Sequence, residues 1–151
     1  MRIYISASWK KRVLVRELAE TLRAHNHEVF DFTDPECRRN HETPPEMFPE
    51  QFDPVKHIYS QYLNRKEWRN AVNENREAIK WADLIILLLP CGIDATADWA
   101  LGIGMGKHSI IVGYPDKGDR SEVHLWADAL LNSVEEVVPW LEAHMANKKT
   151  G

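Results

Sequence analysis

Two cysteines in 151 residues, Cys37 in a polar stretch and Cys91 behind an apolar run, are too few for a disulfide framework or a cysteine metal centre. A basic excess is also missing. Nineteen Lys and Arg against 23 Asp and Glu give a formal net charge of -4, so the positive face that holds a nucleic acid polymer is not available. The longest apolar run, Leu84 to Leu89, is far short of the roughly 20 residues that cross a bilayer. The opening MRIYISASWKKR reads as a strand entering a loop, not as the apolar core of a signal peptide. These absences point to a reduced, cytoplasmic setting with no membrane partner. The seven histidines (His25, His27, His41, His57, His108, His124 and His144) show no metal-ligand spacing, and neither a metal nor another cofactor is expected.

What remains is ordinary globular material, 44% apolar and 28% charged, at a length suited to one domain. Arg2 to Ser6 reads as a short strand, and Lys11 to His25 as a helix with Val13, Leu14, Leu18 and Leu22 on one stripe. His27 to Phe32 alternates like a second strand and ends at the turn signal Thr33-Asp34-Pro35. Residues 35–56 hold Pro35, Pro44, Pro45, Pro49 and Pro54, which predicts a surface loop. Pro54 to Trp81 turns helical, with Trp68, Ala71, Val72 and Ile79 spaced for burial. Leu84 to Leu89 is an unbroken apolar strand, as in the interior of a parallel sheet. A helix centred on Ala97 to Met105, a strand at Ser109 to Gly113, a strand or loop near Glu122 to His124, a helix-like Ala127 to Leu131 and a helix from Val134 to His144 complete the order. Alternation of this kind predicts a single α/β domain over 1–146, a doubly wound, mostly parallel sheet of about five strands, followed by a flexible polar tail over 147–151.

In such sheets ligands gather beyond the carboxyl ends of the strands, which singles out Ser6 to Lys10, Asp31 to Asp34 and Pro90 to Asp98. Asp94 stands where a helix-start aspartate caps backbone N–H groups, whereas Asp98 lies a turn further in and faces the crevice if Trp99 packs away from it. Trp9 is the tryptophan placed to stack on a planar ligand. Gly102-Ile-Gly104-Met-Gly106-Lys107 follows a helix and precedes a strand, the reverse of a phosphate loop; its glycines are read as close packing and a helix C-terminus.

Taken in order, Ile3-Tyr-Ile-Ser-Ala-Ser-Trp9, His27-Glu-Val-Phe-Asp-Phe32, Trp81-Ala-Asp83, Leu87-Leu-Leu-Pro-Cys-Gly92, Gly104-Met-Gly-Lys107 and Trp126-Ala-Asp-Ala-Leu130 resemble the nucleoside 2-deoxyribosyltransferase-like superfamily, particularly its small phage and bacterial members. The resemblance implies a flavodoxin-like (Rossmann-like) sheet, a small-molecule nucleoside or nucleotide substrate, cleavage or transfer across its N-glycosidic bond, and a homo-oligomer, a dimer or larger. It places Asp98 on the carboxylate nucleophile and Asn75 on the second acid. Ser8 and Trp9 fall on the base-side loop, and Gly92 and Asp94 on the sugar or phosphate loop. Ser6, Asp31 and Thr96 complete the expected substrate-binding set.

The chain departs from the pattern it resembles. Asp98 is one methylene shorter than the usual Glu, a displacement of about 1 Å that can cost on the order of a hundredfold in rate unless the backbone adjusts. Asn75 can hydrogen-bond a sugar hydroxyl but shuttles no proton at neutral pH, although Glu74 stands beside it. Thr96 stands where His is common and Ala100 where Gly is. Three functional readings are therefore open: an N-glycosidase or deoxyribosyltransferase using Asp98, a non-catalytic nucleotide-binding protein that lost the acids, and, on the related fold, a TIR-like NAD-cleaving domain.

Overall fold

A computed structural model describes residues 1–37 and 52–149. Its centre is β3 (Leu84–Leu88), every residue of which is buried. β1 (Arg2–Ser6) and β4 (His108–Val112) flank it, with β2 (Glu28–Phe30) and β5 (Ala129–Leu131) at the edges, all parallel in the order β2-β1-β3-β4-β5. A strand paired on both sides and covered on both faces has no polar side to show, which is why LIILL carries no alternation.

The two-residue side-chain period of the strands divides the core. Ile3, Ile5, Leu84, Ile86, Leu88, Ile110 and Val112 face α1 (Arg12–Ala24) and α5 (Val137–Lys149). Tyr4, Ile85, Leu87 and Ile111 face α3 (Lys66–Trp81) and α4 (Ile93–Gly104). The short α2 (Tyr59–Leu63) precedes α3. The expected doubly wound sheet is therefore present, and no helix among the described residues is long and apolar enough to cross a membrane.

Two helix ends are set by the residues the turns require. α1 closes on Asn26 at φ 62, with Asn26 N donating to the Arg23 carbonyl and His27 N to that of Leu22. α4 closes in the same way on Gly106 at φ 74, with Gly106 N donating to Ile103 O and Lys107 N to Gly102 O. The glycine cluster is thus a helix terminus and a packing device. A Cβ at Gly102 would stand 2.5 Å from Ile85 Cγ1, so α4 reaches β3 only because position 102 has none. Gly113, at φ 91 just beyond β4, also makes a close approach, to the residue after β3: a Cβ there would meet the Leu89 carbonyl oxygen at 2.9 Å.

Several expectations shift in phase. In α1 the buried stripe is Val15, Leu18, Ala19 and Leu22, and Val13 is exposed, because the helix is rotated so that Val15 rather than Val13 meets the sheet. In α3 Ile79 is buried with Ala78, while Val72 is exposed. The helical reading of 54–81 resolves into a turn at 54–56, α2 and α3. Glu122–Trp126 is a 3-10 helix, and Ala129–Leu131, expected as helix, is the parallel edge strand. A short apolar run carries no period long enough to separate the two, and pairing with β4 decides it. The last helix begins as a 3-10 turn at Val134–Glu136 and α5 runs on through Lys149, past the point where a fraying tail is expected. Of the proline-rich loop, Pro35–Cys37 forms a 3-10 turn and 54–56 a turn; residues 38–51 lie outside the described residues.

At the amino edge of the sheet, Arg2 Nη2 lies 2.6 Å from Asp83 Oδ1, and the Arg2 backbone N–H donates to Asp83 Oδ2 at 2.9 Å. These donors, the Arg2 guanidinium first, hold the Asp83 carboxyl down at about 2. Since that lies below its unfolded value near 3.8, its contribution to stability is full above pH 4 and is lost as pH falls through about 2. Asp83→Asn therefore lowers the denaturation midpoint at neutral pH by a modest amount, given the exposure of the pair, and the gap to the parent closes between pH 4 and pH 2; a pH-independent gap would refute the linkage. Gly102→Ala drives a methyl into Ile85 and costs about 1–3 kcal/mol in urea denaturation; an unchanged midpoint would show that α4 can ride off the sheet freely.

Candidate functional site

The order β2-β1-β3-β4-β5 reverses direction between β1 and β3: the chain leaves β1 towards one edge of the sheet and β3 towards the other. The connections diverge there and open a crevice above the carboxyl ends of these two strands. The loop at Ala7 and Ser8 follows β1, and residues Leu89 to Gly92 follow β3.

α4 descends from that crevice along β1, and its register is held by two hydroxyl groups of the strand. Tyr4 and Ser6 share a strand face. Ser6 Oγ donates to the Ala95 carbonyl at 2.8 Å, and Tyr4 Oη donates to Asp98 Oδ2 at 2.7 Å, one helical turn further along. Asn75 Nδ2, from α3, donates to the same Asp98 oxygen at 3.2 Å. The fully buried Trp99 packs into the core below, leaving its neighbour Asp98 half-buried between α3, α4 and β1. A carboxylate accepts only, so the Asn75 amide must present its nitrogen here. Two donors meeting on one carboxylate oxygen stabilise its negative charge and fix its direction.

The expected pair of Asp98 and Asn75 is thus brought together, while the rest of the expected set is spread around it. Ser6 is buried and its hydroxyl is engaged by α4. Ser8 caps the 3-10 turn Trp9–Lys11, accepting from Lys10 N at 3.3 Å. Trp9 lies with its ring 5.9 Å from that of Phe32, against the core on the α1 face and not beside Asp98. Asp31 is 1% exposed and accepts from both the N–H and the hydroxyl of Thr33, a closed local turn braced by Arg16, whose Nε donates to Thr33 Oγ1. Gly92 is the N-cap residue of α4, and Asp94 is exposed in its first turn. Thr96 Oγ1 donates to the Gly92 carbonyl and lies 3.4 Å from Cys91 Sγ.

Gly92 and Thr96 line a cleft of about 460 Å³ on the other flank of α4, between its outer face (Ile93, Ala97, Ala100) and residues of the segment after β4, among them Arg120 and His124. Asp98 and Asn75 do not line it. The site read from the sequence as one pocket is therefore divided by α4: the carboxylate on its inner side, the helix-start loop opening outward.

Tyr4 is the residue of this polar cluster that sequence reading missed. Its signal was present, because a tyrosine in the centre of an otherwise apolar buried strand needs a partner for its hydroxyl. What the sequence hides is that α4 crosses β1 at that level.

No protein-family profile and no curated protein sequence matches the chain. Among solved structures it is similar to a 2-deoxyribosyltransferase from the psychrotolerant bacterium Bacillus psychrosaccharolyticus, with TM-score 0.60 and 18% identity over 91% of this chain and 90% of that one. It is also similar to a CMP N-glycosidase from Clostridium botulinum, with TM-score 0.53 and 17% identity over 95% of this chain and 99% of that one. The chain has the α/β fold of these two structures across nearly its full length.

Removing the Tyr4 hydroxyl takes a donor from a half-buried carboxylate. Tyr4→Phe is expected to cost about 1.5–3 kcal/mol in thermal or chemical unfolding. In a double-mutant cycle with Asp98→Asn the two losses are less than additive by about 1 kcal/mol, whereas simple additivity would show that the contact carries no coupling.

Proposed function

We propose that this chain cleaves, or transfers across, the N-glycosidic bond of a nucleoside or nucleotide, with Asp98 as the carboxylate nucleophile. The observation that supports it is the convergence of Tyr4 and Asn75 on one Asp98 oxygen beside the strand-order reversal. The two solved structures of the same fold are enzymes that by name act on a deoxyribosyl group and on CMP.

In the mechanism this reading supports, an Asp98 oxygen attacks the anomeric carbon as the C1′–N bond breaks, and the bonding pair leaves with the base. The oxocarbenium-like state is stabilised by the carboxylate charge and collapses to a glycosyl ester, which water or a second base displaces. Tyr4 and Asn75 aim the carboxylate so that little reorganisation accompanies attack. Asn75 supplies no proton, so the departing base is neutralised from elsewhere.

That substitution also favours a second reading, a nucleotide-binding protein that keeps the crevice without turnover: the side chain at position 75 donates a hydrogen bond to Asp98 and, as an amide, has no acidic proton to give. The two readings separate in one assay. Incubation with a panel of nucleosides and their 5′-monophosphates, followed chromatographically, is expected to release free base from at least one member. Asp98→Asn is expected to reduce that release at least a hundredfold, on the order of what loss of a nucleophile costs. A glycosyl adduct on Asp98, seen by mass spectrometry, fixes the nucleophile. Thermal stabilisation by a nucleotide with no base released from any panel member refutes the enzymatic reading and establishes the binding one.

A further inference from the structure

Tyr4 and Asp98 are held in different ways. Tyr4 is 1% exposed and its ring lies stacked on that of Phe30, centroids 5.5 Å apart and planes 13° apart, so its hydroxyl has a fixed place. Asp98 rides on α4, and a single methylene separates its carboxylate from the backbone. A carboxylate on so short a stem goes where its helix goes. The 2.7 Å contact between them therefore depends on the axial position of α4 against β1.

Most of what seats α4 is indifferent to that position. Ala95, Trp99, Ala100 and Ile103 make apolar contacts, which are non-directional and tolerate a small slide, and Gly102 sets how closely the helix approaches Ile85. The bond from Ser6 is directional: its Oγ donates at 2.8 Å to the carbonyl of Ala95, one helical turn before Asp98. Ser6 and Tyr4 share a face of β1, so one strand carries both the donor that Asp98 meets and the tie that brings Asp98 to it. The helical ladder delivers the Trp99 N–H to the same Ala95 carbonyl, whose two lone pairs accept both. Ser6 is thus two hydrogen bonds from the peptide group that joins Asp98 to Trp99. It is also 2% exposed, and a serine hydroxyl has one proton, which here goes to Ala95 and leaves none to give a substrate.

We propose that Ser6, expected from the sequence to bind substrate, is instead a positioning residue: through the Ala95 carbonyl it sets the axial register of α4 and with it the place of the Asp98 carboxylate at Tyr4 and Asn75. Its effect on rate rests on the glycosidic reading above; its effect on the Asp98 contact does not.

The test uses the full chain in two assays. In urea unfolding Ser6→Ala lowers the midpoint, and that shift is expected to be smaller when Asp98→Ala is already present, although Ser6 makes no hydrogen bond to the Asp98 side chain. A serine that only holds the fold together gives the same shift in both backgrounds. In base release from the panel of nucleosides and 5′-monophosphates, Ser6→Ala is expected to lower kcat about tenfold to a hundredfold with KM within about twofold of the parent. Ser6→Thr, which keeps the donor, retains most of the rate. Equal midpoint shifts in the two backgrounds overturn the proposal, and so does a raised KM with kcat unchanged, which places Ser6 on the substrate. If the added methyl of Ser6→Thr prevents folding, the Ser6→Ala arms decide. No base release from any panel member, together with a background-dependent midpoint shift, removes the cleavage reading and keeps Ser6 as the tie that places the carboxylate. Base release that is unchanged in Ser6→Ala overturns the positioning role and leaves the cleavage reading standing.

Discussion

The close seating of α4 on the sheet is the constraint from which the rest follows. The helix touches β3 at Gly102, where any side chain would collide with Ile85, and is held to β1 by Ser6 and Tyr4 through hydrogen bonds of 2.8 and 2.7 Å. These contacts fix its depth, rotation and axial position together. Trp99 is thereby buried and Asp98 left beside Asn75, so the polar centre is a by-product of a packing solution. A half-buried carboxylate is tolerable because the same packing brings two donors to it.

This arrangement divides the labour between the two faces of the sheet. The face towards α1 and α5 has an aliphatic centre with aromatic residues, Trp9, Phe30, Phe32 and Trp140, packed at its margin. The face towards α3 and α4 admits hydroxyls, an amide and a carboxylate along β1 while remaining closed at β3 and β4. These polar groups gather where the strand order reverses, and the amino edge is tied by Arg2 and Asp83.

The sequence was legible where a signal spans many residues. The unbroken LIILL run, the alternation of strands with helices and the reversed order of the glycine cluster each survive small errors of position, and all three hold in the structure. The phase of α1 and α3 did not, since Val13 and Val72 satisfy the same spacing as their buried neighbours and only the facing sheet selects between them. Ala129–Leu131 was misread because three residues carry no period. The Asp98–Asn75 pair was legible through family resemblance and now rests on contact geometry. The hydroxyl of Tyr4 signalled a need for a partner but not which one, since Asp98 lies ninety-four residues away, and the loop position of Trp9 says nothing of the side to which its ring turns.

Gly113 has a wider bearing. Because it lacks a side chain and lies against the Leu89 carbonyl, the chain leaves β3 and β4 from what is almost a single fixed post. From there one loop runs to the start of α4 and the other to the far wall of the cleft, like two jaws sharing a pivot. Either jaw can be lengthened or rebuilt without moving the pivot, so a change in what the cleft admits need not disturb the carboxylate on the inner side of the helix.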